Sequence, residues 1–221
     1  MNLPTELFSP IWHLVAWALC AATAVWAWRT APWGALREGG RVQVTCALAV
    51  ILTPLWSMKA GIKPGLDLHL LGAMAAQLTL GPQLAVVAMG LALSGIALNG
   101  GLEWSAWAIN FLLMAVVPVM IARVFHGLVE RRLPNHVFVY LFVGGFLGGA
   151  ITVMGQGLVV SLVLILADAY SFEYLSTHYL PYFLLLGFAE GWMTGMAMTL
   201  MVVYRPHWVA TFDDQRYLLN K

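Results

Sequence analysis

Residues 66–98 read LDLHLLGAMAAQLTLGPQLAVVAMGLALSGIAL. The run is apolar enough for a membrane interior, but Leu80-Gly81-Pro82-Gln83 interrupts it. Proline removes a backbone donor and disfavours helix at the residue before it. The stretch is therefore predicted to form two helical pieces, 67–80 and 83–98. The first is too short to cross a hydrocarbon core that needs about 20 residues. It also carries Asp67 and His69 at its start.

The same reading extends in both directions. Residues 11–28 are long and apolar enough to span, and residues 42–57 form a slightly short second candidate. SMKAGIKPG (57–65) is a loop by its Lys, Gly and Pro content. NGG (99–101) closes the 83–98 piece, and 105–125 makes a fifth segment. HGLVERRLPNH (126–136) is expected to be a polar loop. Residues 137–167 are rich in glycine (GGFLGGA, GQG), and small residues let helices approach closely in lipid. Residues 168–180, with Asp168, Glu173 and His178, are expected to be a loop, and 181–204 are the last span.

The fold class is thus all-α integral membrane with seven helical segments, one membrane domain over 1–205 and a soluble tail over 206–221. Composition agrees: 61% of residues are hydrophobic and 10% charged, where soluble domains carry about a quarter charged. Of the 11 Lys and Arg residues, all but Lys59 and Lys63 fall on one side if the N-terminus is outside. Positive residues favour the cytoplasm, so the C-terminus is expected there. A net charge of +1 gives no reason to expect nucleic acid as a partner; the partner the composition implies is the lipid bilayer. The N-terminus lacks the positive n-region of a signal peptide, so the first helix is expected to stay. Cys20 and Cys46 lie in apolar runs and read as small packing residues. No HExxH, Walker A or GxSxG motif occurs, and no enzyme activity is expected.

Ionisable side chains within spans are costly and mark function by default. His69 is either a metal ligand, since imidazole suits Ni, Co, Cu and Zn, or a histidine satisfied by a carbonyl or by Asp67. Asp67 either caps the helix start or orients His69. Glu190 is the acid deep in the last span, flanked by Gly187, Gly191 and Gly195; it either relays a conformational change or braces the bundle. His13, one turn into the first span, reads as packed or interfacial. Met193, Met196, Met198 and Met201 do not share one helix face, so packing outranks copper binding.

Three stretches resemble the membrane substrate-binding component of energy-coupling-factor cobalt and nickel transporters, the CbiM/NikM type. MNLPTELFSP (1–10) is similar to the family's M-H-I-P-D-G-F-L-S-P. HLLGAMAAQLTLGPQ (69–83) is similar to its H-L-x-G followed by L-G-P, and Asn110 matches an asparagine of its glycine-rich segment. LLLGFAEGWMTG (184–195) is similar to its G-x-x-E-x-x-x-T pattern.

The resemblance implies a seven-helix bundle in a bacterial-type inner membrane, with an outside N-terminus folded back into it. It also implies an ion held by the Met1 amine, the nitrogen of residue 2 and His69, with Asp67 and Asn110 supporting. The ion would be transported Co(II) or Ni(II), with no permanently bound cofactor. Separate coupling and ATPase subunits would dock on the cytoplasmic side. This chain departs from the family at Asn2, where the family has histidine, at Thr5, where it has an acid, and at Leu113, where it has asparagine. A second reading follows from Asn2: a solitary relative without metal transport, acting as an accessory or assembly factor.

Overall fold

Proline at a first helical turn forfeits no hydrogen bond and pre-sets φ, and Pro10 opens α1 (Pro10–Thr30) in that way. The computed structural model describes residues 3–36, 40–61 and 63–219; Met1, Asn2, Arg37 and Lys221 lie outside the described residues. After α1 comes a single turn, α2 (Trp33–Leu36), then α3 (Arg41–Ser57). Two short strands, β1 (Ala60–Gly61) and β2 (Asp67–Leu68), pair antiparallel, with Ala60 opposite Leu68. Helices α4 (Ala73–Leu80) and α5 (Pro82–Leu98) follow. The predicted break between them is present, and Gly81 turns the chain at φ 78°, a conformation that suits glycine.

The next long rod runs from Trp104 to Arg132. It comprises a 3-10 turn, α6 (Trp107–Phe111), a π segment (Leu112–Val116) and α7 (Val117–Arg132). The π segment lies just before Pro118, which has no N–H to return to the preceding turn, so the ladder changes register there. A second π segment (Val139–Leu147) leads into α8 (Gly148–Leu166). Then come α9 (Phe172–His178) and α10 (Tyr182–Tyr204).

Three predicted boundaries are corrected. Residues 67–72 are extended rather than helical, because α4 starts only at Ala73 after a left-handed Gly72 (φ 69°). Residues 126–132 continue α7 instead of looping out; Arg131 and Arg132 suit the negative end of the helix, and Pro134 lies just beyond it. The 168–180 loop contains α9, whose N-terminus is capped by Ser171 Oγ accepting from the Tyr174 N–H at 3.2 Å.

Among the described residues, four helices are long and apolar enough to cross a membrane: Pro10–Thr30, Trp104–Arg132, Val139–Leu166 and Tyr182–Tyr204; Arg41–Ser57 and Pro82–Leu98 are shorter and apolar. Their outward faces carry exposed Leu14, Trp28, Leu185 and Tyr204. A surface so apolar belongs against lipid. At the centre lies α4, buried at every position except Ala75. A helix apolar all round is a core helix. Lipid provides little hydrophobic drive for helix association, so close packing takes over. It is visible between α8 and α10: a Cβ on Gly149 would lie 3.1 Å from the Glu190 carbonyl oxygen, and one on Gly191 2.8 Å from that of Phe146.

The tail is docked against the bundle. The N–H groups of Ala210 and Thr211 donate to the carbonyls of Thr79 (2.9 Å) and Leu78 (3.2 Å). These carbonyls belong to the last turn of α4, which has no intrahelical donors for them. Tyr217 is buried, and Arg216 pairs with Glu130 of α7 at 2.5 Å.

Candidate functional site

The N-terminal strap is built to stay extended. Pro4 holds φ −71° and ψ 153°, a 3-10 turn follows at Thr5–Leu7, and Ser9-Pro10 starts α1. Leu3 is fully buried. A buried backbone needs partners for both its N–H and its C=O, and a single side chain supplies them. Asn110 Oδ1 accepts from the Leu3 N–H at 2.9 Å, and Asn110 Nδ2 donates to the Leu3 carbonyl at 2.9 Å. The same Nδ2 also donates to the Ala106 carbonyl at 2.9 Å. Thr5 Oγ1 bonds Glu103 at 2.5 Å and Ser105 at 2.7 Å, fixing the strap where it leaves the bundle.

The strap packs against the hairpin that leads to His69. A Cβ on Gly65 would lie 2.7 Å from Leu7 Cδ1 and 3.2 Å from Leu3 Cδ2. Gly65 also has φ 79°, so close approach and backbone conformation both call for glycine. Lys59 and Asp67 pair across the hairpin at 3.1 Å. The Tyr170 hydroxyl donates to the Pro64 carbonyl at 2.7 Å, and Lys63 Nζ sits 4.4 Å above the Tyr174 ring.

His69 follows the hairpin and is 6% exposed. Its Nδ1 lies 2.9 Å from the Leu70 carbonyl oxygen. A carbonyl can only accept, so Nδ1 carries the proton in the neutral ring and Nε2 carries the lone pair. Fixing one ring nitrogen on a carbonyl is how a ligating imidazole is oriented. Trp56 packs on His69 with ring centroids 5.7 Å apart, and its Nε1 donates to the Leu71 carbonyl at 3.2 Å.

Glu190 completes this loop. Its carboxylate accepts from the Leu71 N–H at 2.8 Å and the Gly72 N–H at 2.6 Å. Two successive N–H groups around a left-handed residue make an anion-binding nest, and here a buried side chain fills it. Glu190 therefore holds the backbone beside His69. Gly72 has no alternative at this point: besides its φ, a Cβ would lie 2.8 Å from Leu52 Cδ2.

The residues singled out by sequence are not all in one place. Asp67, His69 and Gln156 line one narrow crevice with Phe183. Asp67 does not cap α4, because it sits in β2 and pairs with Lys59. Asn110 serves the strap, and Glu190 serves the loop. His13 packs on Phe8, with ring centroids 6.4 Å apart. Met1 and Asn2 lie outside the described residues. Among the described residues, no group of three His, Cys, Asp or Glu side chains converges as a metal site would need. Gln156 was missed: it is fully buried, with Nε2 donating to the Leu113 carbonyl at 3.1 Å. Its signal was an uncharged amide between the glycines of GQG.

A lipid-facing helical shell around a central broken helix, with a strap and a buried histidine loop locked at one end, defines a multi-pass membrane protein. The match to a family model is more specific. The chain belongs to the CbiM family, the cobalt uptake substrate-specific transmembrane region, matched over residues 2–208. It is a metal-uptake membrane component and not an enzyme. Its fold is similar to the crystal structure of a truncated transition metal transporter, with TM-score 0.74 and 20% identity over 92% of this chain and 99% of that one. A second transition metal transporter structure aligns with TM-score 0.73 and 20% identity over 91% and 92%. No curated protein matches the sequence.

Proposed function

We propose that this chain is the membrane substrate-binding component of an energy-coupling-factor, ABC-type importer for a divalent transition metal, cobalt or nickel. One observation carries the reading: Asn110 pins Leu3 inside the bundle, and the strap packs on the hairpin that presents His69. In this proposal the Met1 amine, the Asn2 backbone nitrogen and His69 Nε2 supply the metal donors. Nitrogen donors of this type suit Ni(II) and Co(II). Asp67 and Asn110 support the site, and Glu190 holds the loop. Asn2 replaces an imidazole donor with an amide, which weakens the site relative to one with histidine.

In the same proposal the chain crosses a bacterial-type inner membrane in seven segments, with the N-terminus outside. Lys59 and Lys63 flank the His69 loop, whereas Arg131, Arg132 and Arg216 lie at the opposite end. That asymmetry supports a cytoplasmic C-terminus, and in this proposal separate coupling and ATPase subunits dock on the arginine-rich side.

Calorimetric titration of Ni(II) and Co(II) into purified protein tests the metal reading. Wild type is expected to bind, and His69→Ala to bind at least about tenfold more weakly. An N-terminal extension that blocks the amine is expected to abolish binding, and Asn2→His to tighten it. Equal binding by wild type and His69→Ala would sink the metal site. The second reading, an accessory protein without transport, draws on Asn2; it predicts no binding by wild type and binding restored in Asn2→His.

A further inference from the structure

The arginine-rich end of the bundle holds a cavity of about 1160 Å³ that the metal reading does not use. It opens between α7, the α4–α5 junction and the docked tail, and Gln77, Arg123, His126, Arg131, Arg132 and Arg216 are among its lining residues. Four arginines face two carboxylates there, Glu130 and Asp213. Both carboxylates are already engaged by Arg216. Its Nη1 pairs with Glu130 at 2.5 Å, and its backbone N–H donates to Asp213 at 2.9 Å. Among the described residues no carboxylate pairs with Arg123, Arg131 or Arg132. The cavity is therefore left with uncompensated positive charge.

Two further observations point to an anion. His126 is 5% exposed, lines the cavity, and has no hydrogen bond at either ring nitrogen among the described residues. Glu130 lies beside it, with Nε2 3.8 Å from Oε2, beyond hydrogen-bond length, and the ring meets Tyr140 edge-on. A buried imidazole left without hydrogen bonds is costly, and its ring nitrogens, both shielded here, gain a partner in the cavity only if the side chain turns toward it. The second is the start of α5. Pro82 and Gln83 line the cavity, and no side chain caps this helix. An uncapped helix N-terminus presents partial positive charge to an anion.

We infer that this cavity binds a phosphate group, with Arg123, Arg131 and Arg132 supplying charge and His126, once its ring turns into the cavity, a directional hydrogen bond. Two sources share that chemistry: the headgroup of an anionic phospholipid, and a soluble phosphate. Basic pockets among transmembrane helices at the membrane surface are suited to the first. The inference is independent of metal binding, since none of these residues belongs to the His69 end.

The test uses the full-length protein, delipidated in detergent, with the variant Arg131→Gln/Arg132→Gln. Both side chains are exposed, so the variant is expected to fold. Phosphatidylglycerol, phosphatidylcholine and inorganic phosphate are each added while thermal unfolding is followed, and retained lipid is read by native mass spectrometry. Phosphatidylglycerol is expected to raise the wild-type Tm by about 3 °C or more over phosphatidylcholine. The double variant is expected to bind it roughly tenfold or more weakly, as is a His126→Gln variant. If inorganic phosphate reproduces the shift and the variant abolishes it, the site stands and its ligand is soluble. The inference is overturned if neither phosphate source stabilises wild type, or if the double variant responds as wild type does.

Discussion

The two ends of α4 are held by opposite means. At its N-terminus, buried side chains bind backbone: Glu190 takes the N–H groups of Leu71 and Gly72, and nearby Asn110 takes both polar groups of Leu3. At its C-terminus the tail lends backbone donors to Leu78 and Thr79, and the surrounding ion pairs are partly solvated. In a dry site a missing partner leaves an orphaned group, whereas in a wet one water replaces it. The His69 end should therefore be rigid and intolerant of substitution. The arginine end should tolerate change and adapt to what binds there.

Glu190→Ala is the most severe way to challenge that contrast. It orphans two buried N–H groups, each costing about 1–3 kcal/mol. A large drop in Tm in detergent is expected, with Glu190→Gln intermediate because an amide offers one acceptor oxygen. A Tm for Glu190→Ala near that of wild type would mean the loop is not held as described. Asn110→Ala should follow at about 2–4 kcal/mol, and limited proteolysis should show the strap cut more readily. Gly72→Ala should cost about 1–3 kcal/mol through left-handed strain and contact with Leu52, read from the same melts. Arg216→Ala should cost least, about 0–1 kcal/mol, since both partners of its pair with Glu130 are substantially exposed and solvent screens them. Thr211 should keep the tail docked in that variant through its 2.8 Å bond to Leu78; tail proteolysis checks this. A larger loss from Arg216→Ala than from Asn110→Ala would reverse the ranking of the two ends.

Much of the fold was legible because its cues are local. Pro10 and Pro82 mark helix starts and Gly81 marks a break, and the apolar run lengths separate long rods from the short central piece. Glycines in 137–167 foretold the close contact of α8 and α10. Where the reading failed, a distant partner overrode the local pattern. Residues 67–72 look helical, but Gly72 turns left-handed and Glu190 takes the N–H groups there. Residues 126–132 look like a polar loop, but they continue α7 to Arg132, with Glu130 paired to Arg216 of the tail. Asp67 looks like a cap, but Lys59 holds it in the hairpin.

The candidate site was half legible for the same reason. His69, Asn110 and Glu190 could be picked out as polar groups in apolar surroundings, but their tasks could not. Leu3 and Asn110 are 107 residues apart, and Leu71 and Glu190 are 119 apart. Composition, run length and proline placement determine by themselves that this chain is helical, lies in a membrane and breaks at Leu80–Gln83, because those properties depend on neighbouring residues and on the solvent they meet. Only the tertiary structure decided that one carboxamide holds the N-terminal strap and one carboxylate holds the histidine loop. Those bonds join segments that sequence order keeps far apart, and the cost of leaving backbone groups unpaired away from water makes them necessary.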